Sequence, residues 1–132
     1  MSNAETVRTF ERTITVYKEL TYKIDFINKE VELIQNDKGY YKEPLIALNN
    51  QLNKYIRFKN LIDICMNKLT EVERKVIELR YLTKEKITWK QIAKIVSFSE
   101  DYCRQGIKLR AINKIMSTIN ESGIEINKLL KG

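Results

Sequence analysis

Two capping-box patterns in the second half of the chain restrict its local structure more than any other feature. Thr70 is followed three residues later by Glu73, and Thr88 is followed at the same spacing by Gln91. In such a pattern the threonine hydroxyl can accept a hydrogen bond from the third helical amide, while the acid or amide side chain reaches back to the threonine backbone. Each threonine therefore predicts the start of a helix.

A further helix start follows shortly after the second capping box. The run Ser97-Phe98-Ser99 supplies a short turn, one apolar residue that can plug it, and a serine whose oxygen can cap the next helix. The predicted inner faces contain Ile92, Ala93 and Val96 in the first helix and Cys103 and Ile107 in the second. Two helices joined in this way predict a helix-turn-helix, in which the small Ala93 permits a close crossing.

From Leu69 to Gln105 the sequence resembles region four of bacterial sigma factors, where the pattern LTxxERxVIxLRY precedes a threonine-led helix-turn-helix. In that family the second helix enters the major groove of a promoter element upstream of the start site. The resemblance implies a phosphate contact for Thr88, base-reading positions at Asp101 and Gln105, and a DNA contact for Arg104.

The resemblance has three departures, all in the second helix of the pair. Glu100 and Tyr102 stand where housekeeping sigma factors have arginines, and Gly106 stands where they have an apolar residue. The resemblance therefore does not supply the target DNA sequence.

The positive charge of the chain is concentrated on this motif. The formal net charge is +7, of which residues 1–69 contribute +2 (11 basic, 9 acidic) and residues 70–132 contribute +5 (13 basic, 8 acidic). Clustered cations on a helix-turn-helix favour double-stranded DNA as the partner, because they can neutralise backbone phosphates. The candidate DNA-binding residues are Thr88, Trp89, Lys90, Lys94, Ser99, Asp101, Tyr102, Arg104, Gln105 and Lys108. For Trp89, packing on a sugar and a place in the edge of the core are both open.

The composition argues against catalysis and metal binding. The chain has no histidine, which excludes Ser-His and Cys-His nucleophile pairs and the common histidine-containing zinc sites. Its two cysteines, Cys65 and Cys103, lie far apart on apolar helical faces and are expected to be buried thiols. We expect no catalytic residue, no metal and no cofactor, and hence not an enzyme.

The first half of the chain predicts a long helical hairpin over residues 5–68. Apolar residues recur every three or four positions from Val7 to Ile34, the segment Asn36 to Gly39 is rich in turn formers, and Pro44 suits the first turn of a second helix. That second helix has two apolar faces and so needs two neighbours. One is the first helix, and the other is either the C-terminal helices or a second copy of the chain in a homodimer.

The resulting prediction is an all-α protein with a hairpin (residues 5–68), a three-helix sigma-region-four-like domain (69–120) and a tail (121–132). We find neither a long apolar segment nor a secretory signal, so a cytoplasmic protein with no membrane partner is expected. The layout resembles phage-encoded late-gene transcription activators of Gram-positive hosts, the ArpU and RinA type, which implies contact with RNA polymerase. A phage terminase small subunit and a helical adaptor that does not bind DNA are the alternatives.

Overall fold

The computed structural model describes residues 3–37, 42–126 and 128, and this part of the chain contains helices, turns and loops but no strand. The all-α prediction is confirmed. The regular elements are α1 (Asn3–Asn36), α2 (Lys42–Asn67), α3 (Glu71–Ile77), the π-helical segment π1 (Glu78–Leu82), α4 (Trp89–Val96), the π-helical segment π2 (Tyr102–Ile107) and α5 (Lys108–Glu121). Gly39, the predicted helix cap between α1 and α2, lies outside the described residues. No helix in the described ranges has the length and apolarity needed to cross a membrane.

Helices α1 and α2 pack antiparallel along the apolar stripe that the sequence predicts. Phe10, Ile14, Leu20 and Ile27 are buried, and all belong to the repeat of threes and fours on α1. The Tyr17 hydroxyl donates a 2.6 Å hydrogen bond to the Asp63 carboxylate, which ties the two helices together.

The second apolar face of α2 packs on α5 of the same chain. Phe58, Leu61 and Cys65 share one buried cluster with Ala111 and other residues of α5. The second neighbour of α2 is therefore the C-terminal helices. Ile64, although apolar and next to Cys65 in the sequence, is 52% exposed and does not belong to this buried face. The predicted boundary at residue 68 stays a prediction, although residues on both sides of it contribute to this core.

Both capping boxes form as the sequence predicts. The Thr70 hydroxyl accepts from the Glu73 amide at 3.2 Å, and the Thr88 hydroxyl accepts from the Gln91 amide at 3.2 Å. In turn, the side-chain oxygens of Glu73 and Gln91 accept hydrogen bonds from the backbone N–H of the capping threonine, at 2.9 Å in each case. Behind these helix starts, a second cluster buries Val76, Ile92, Cys103 and Ile107. The helix-turn-helix therefore has a small core of its own.

The turn of the helix-turn-helix differs from expectation at one residue. Ser97 adopts the left-handed conformation (φ 64°) that ends α4, and Ser99 accepts a hydrogen bond from the Tyr102 amide at 3.1 Å, as a cap should. Phe98 does not plug the core: it is 44% exposed, and its ring lies 5.3 Å from that of Tyr102. The aromatic side chain of Tyr102 gives Phe98 a neighbour outside the core, which the pattern of apolar residues did not reveal.

The helix after the turn contains an extra residue in one of its turns. The Lys108 amide donates to the carbonyl of Cys103, five residues earlier, which is the bond of a π-helix. One line of buried residues recurs every fourth position, at Cys103, Ile107, Ala111, Ile115 and Ile119, and Ile112 and Met116 are buried beside it. A four-residue repeat drifts around an α-helix of about 3.6 residues per turn, and the wider π-helical turn reduces that drift.

Gly106 lies inside this π-helical turn, next to the ring of Tyr102. A Cβ atom on Gly106 would stand 2.9 Å from Cδ1 and Cε1 of Tyr102, closer than real contacts allow. The missing side chain therefore leaves room for the tyrosine ring along the helix. The group that Gly106 accommodates is therefore a neighbour on the same helix.

Candidate nucleic-acid interface

Residues 100–121 form one continuous helical stretch, composed of its first turn, π2 and α5, which we call the recognition helix. Glu73 of α3 fixes it in place. The Glu73 carboxylate is fully buried and accepts hydrogen bonds from Nε of Arg110 at 2.8 Å and from Nζ of Lys114 at 2.7 Å. The capping-box acid that starts α3 therefore also holds the recognition helix.

The charge of Glu73 is maintained by these partners. Burial by itself raises the pKa of this carboxyl, but hydrogen bonds from Lys114, the Thr70 backbone and Arg110 outweigh that effect and lower the pKa to about 2. The two cationic side chains remain about half exposed, at 50% for Arg110 and 41% for Lys114. Glu73 is therefore ionised at neutral pH, and its cations still face solvent.

Trp89, the first residue of α4, lies half-buried at the edge of the helix-turn-helix core. Two cations lie over its ring: the Arg80 guanidinium is 4.8 Å from the ring centroid, and the Lys108 ammonium is 5.6 Å from it. Cations over an indole face are attracted by its negative quadrupole. The indole thus has the core position of one sequence hypothesis, while its predicted contact with DNA sugar stays a prediction.

Lys108 is the only half-buried lysine among the candidate DNA-binding residues. Burial lowers its pKa, nearby Glu11 opposes that change, and the charges of Arg80 and Arg104 lower the pKa further. A phosphate beside Lys108 would therefore relieve repulsion among these three cations. This is a favourable electrostatic setting for a contact with a nucleic-acid backbone.

The two candidate base-reading residues, Asp101 and Gln105, lie at the start of the recognition helix, and both are exposed. Asp101 keeps 86% of its side chain exposed and accepts from Nη2 of Arg104 at 3.5 Å. Gln105 is exposed within π2. Asp101 and Gln105 are four residues apart, a spacing that predicts one shared face in a regular α-helix. Because π-helical bonding changes that angular step, the shared face stays a prediction.

The remaining candidate DNA-binding residues differ in whether their side chains already make contacts within the protein. Lys90 and Lys94 are exposed on α4. Thr88 and Ser99 are exposed too, but their hydroxyls already cap helices, so a phosphate contact would have to share these oxygens. Tyr102 is 42% exposed and lies beside Phe98.

Most of the cations near this surface have no acidic partner. The segment 84–114 contains eight basic side chains (Lys84, Lys86, Lys90, Lys94, Arg104, Lys108, Arg110 and Lys114) against three acidic ones (Glu85, Glu100 and Asp101). Within the described part of the chain, salt bridges hold Arg104, Arg110 and Lys114 but none of the other five. Unpaired cations around an exposed helix favour a polyanionic partner.

Sequence reasoning missed three parts of this surface. It did not assign Arg80 to the face of Trp89, and it did not connect Glu73 to the recognition helix. It also missed an open groove on the flank of that helix, lined by Lys68, Arg110, Asn113, Lys114, Ser117 and Thr118. The capping box marks Glu73 in the sequence, but no sequence signal relates Glu73 to residues some forty positions later.

Comparison with known families agrees with this geometry. Residues 65–115 match the family described as Sigma-70, region 4, and the match covers both capping boxes, the turn and residues 100–115 of the recognition helix. No curated protein and no solved structure is significantly similar to the chain. Residues 65–115 therefore contain a helix-turn-helix that is similar to region 4 of sigma-70 factors.

Proposed function

We propose that the chain is a DNA-binding transcriptional regulator that reads a duplex site with its recognition helix. The observation that carries this proposal is the sigma-70 region 4 match over the same residues that form an exposed, cation-rich helix-turn-helix. Modules of this type place their second helix in the major groove, where each base pair presents a distinct pattern of donors and acceptors.

The proposed roles follow from side-chain chemistry. Gln105 can bond an adenine edge with both its donor and its acceptor, and the carboxylate of Asp101 can accept from the amino group of cytosine. Arg104 is the donor expected beside them. Thr88, Trp89, Lys90, Lys94, Ser99, Tyr102 and Lys108 are assigned to the sugar-phosphate backbone, where contacts fix register without reading sequence.

The biological setting that we propose is late-gene activation in a phage or prophage. The regulator would hold a promoter-proximal site with the recognition helix and bring RNA polymerase to it through another surface. This proposal is supported by the sigma-type module, because region four of sigma factors binds promoter DNA. We also propose that the protein is cytoplasmic, that it forms a homodimer through residues 5–68, and that it is not an enzyme.

Selection from random duplex DNA, followed by titration of the selected site at several salt concentrations, tests the proposal. We expect a preferred sequence and a steep fall in affinity with salt. Lys90→Gln and Lys94→Gln should each weaken binding to all sequences and reduce the slope of log affinity against log salt by up to about one unit per phosphate contact. Lys54→Gln, an exposed lysine on α2, is the matched control. No enriched sequence together with a flat salt response would refute DNA recognition.

A further inference from the structure

A second apolar stripe on α1 faces away from the hairpin core. Tyr22, Phe26 and Leu33 are 68%, 64% and 72% exposed, the three highest values among the large exposed apolar side chains of the described residues. At about 100° per residue, their spacings of four and seven place the three side chains within about 40° of one another around the helix. They form one stripe on the half of α1 that lies beyond the helix-turn-helix.

The stripe borders a groove between α1 and α2. Tyr22 and Phe26 line it together with Leu48, Gln51 and Tyr55 of α2. Exposed apolar side chains are common singly, but three on one helix face, two of them beside a groove, favour an interaction surface. What this surface binds can be inferred from the charges beside it.

Charged side chains flank the stripe on both sides in a self-complementary order. On the side toward the groove lie Lys23 and Glu30, and on the other side lie Asp25 and Lys29. Consider a second α1 laid antiparallel on the stripe, with a two-fold axis near residue 27. Lys23 then faces Glu30 of the second copy, and Asp25 faces Lys29 of the second copy. Since a two-fold axis repeats every contact, four attractive pairs result.

The same register aligns the apolar side chains. Phe26 meets Phe26 of the second copy beside the axis, and Tyr22 meets Leu33 of the second copy, within about one residue of rise. Both the apolar layers and the charged flanks therefore fit one arrangement. We propose that the exposed stripe of α1 binds a second copy of this chain in antiparallel orientation, forming a homodimer.

The proposal deepens the homodimer named in the proposed function and assigns it a surface other than the second face of α2. Covering three large apolar side chains on each copy buries on the order of 1,000 Å² in total, the lower limit for a specific interface. We therefore expect a reversible dimer with a dissociation constant in the micromolar range. The antiparallel arrangement places the two DNA-binding modules at opposite ends of the dimer.

Charge reversal on the full-length chain, followed by sedimentation equilibrium at about 1–300 µM, tests the register. Lys23→Glu and Glu30→Lys should each raise the dimer dissociation constant about ten-fold or more, because each makes two attractive pairs repulsive. The double variant Lys23→Glu/Glu30→Lys should restore it. Positions 23 and 30 are separated by about 10.5 Å along one helix, too far for an ion pair within a copy, so restoration must arise between copies.

Two further variants define the surface. Phe26→Glu should abolish the dimer, and the matched control Lys54→Glu, on the exposed part of α2, should leave it unchanged. Circular dichroism melting confirms that each variant stays folded. A chain that is monomeric at every concentration, a dimer insensitive to Phe26→Glu, or a double variant no tighter than the single ones each overturns the proposal.

This test is separate from that of DNA recognition. Lys23, Phe26 and Glu30 lie on the hairpin, outside the residues assigned to DNA, so the variants should bind an isolated duplex half-site with the parent's affinity. If the parent and all variants fail to bind DNA, the proposed function fails while the dimer result stands. If all bind DNA and none dimerises, only the dimer proposal fails.

Discussion

Nζ of Lys114 donates a 2.7 Å hydrogen bond to Oε1 of Glu73, 41 residues earlier in the chain. The same oxygen accepts from the Thr70 backbone at 2.9 Å, so one carboxylate both completes a helix cap and anchors the recognition helix. The stability of α3 and the placement of the proposed DNA-binding surface therefore depend on the same buried group.

Replacing Glu73 with glutamine should destabilise the fold. Removing one partner of a fully buried ion pair costs about 3–5 kcal/mol, but the half-exposed Arg110 and Lys114 can recover hydration, so we expect about 2–3 kcal/mol. Urea unfolding followed by far-UV circular dichroism measures this change in the free energy of unfolding. Glu71→Gln, at the exposed acid of the same helical turn, is the control and should change it by less than about 0.5 kcal/mol. Equal effects of the two substitutions would contradict the anchoring role.

The contribution of Glu73 should depend on pH in a defined direction. Its pKa is lowered from the ordinary 4.5 to about 2, so the unfolded chain takes up the proton first as acid is added. Stabilisation by the ionised carboxylate is complete above about pH 4.5, declines as the pH falls toward 2, and amounts to on the order of 2 kcal/mol. The difference in urea midpoint between the parent and Glu73→Gln should therefore shrink between pH 5 and pH 2. Parallel pH profiles would argue against this assignment.

Substitutions of Gln105 and Lys108 should have different effects on DNA binding, because Gln105 is proposed to read a base and Lys108 to contact the backbone. Gln105→Ala should weaken binding to the selected site by about 1–3 kcal/mol and leave binding to unrelated duplex nearly unchanged, because a bidentate amide contact reads one base. Lys108→Ala should weaken both. Fluorescence anisotropy on the two duplexes makes the comparison. Tight binding of the selected site by Gln105→Ala would remove the base-reading role from that residue.

Trp89 is the only tryptophan and lies against Lys108, so its fluorescence should report on DNA at this surface. We expect the emission to change on titration with duplex DNA and to saturate at the same concentration as anisotropy. Lys108→Ala should alter the emission of the free protein, because it removes a charge over the ring. An emission spectrum unaffected by saturating DNA would place the duplex away from α4.

Gly106 and Tyr102 should be energetically coupled. In the parent, Gly106→Ala places a Cβ against the tyrosine ring, and the cost of moving that ring opposes the gain in helix propensity. In a Tyr102→Ala background the ring is absent, and the same substitution should stabilise by up to about 1 kcal/mol. A double-mutant cycle in urea measures the coupling. Additive effects would show that Gly106 does not serve to accommodate the ring.

The two capping boxes, the turn after α4 and the spacing of apolar residues on α1 are local signals, and they determined the helix starts and the all-α class. A capping box forms between residues three apart, so its geometry requires no knowledge of the rest of the fold. The same holds for the sigma-like motif, whose residues adjoin one another in sequence. The candidate surface could be located in this way, though the contacts of its individual side chains could not.

Tertiary structure decided which groups meet across the chain. The sequence predicts only that Glu73 completes a helix cap. The packing of α3 on α5 brings Arg110 and Lys114 to its carboxylate. Likewise, periodicity shows that α2 has two apolar faces, but only the fold shows that α5 covers the second one while Tyr22 and Phe26 on α1 stay uncovered. The physical reason is that periodicity records the direction of a side chain around its own helix, whereas burial and charge pairing depend on distances between helices that no local pattern encodes.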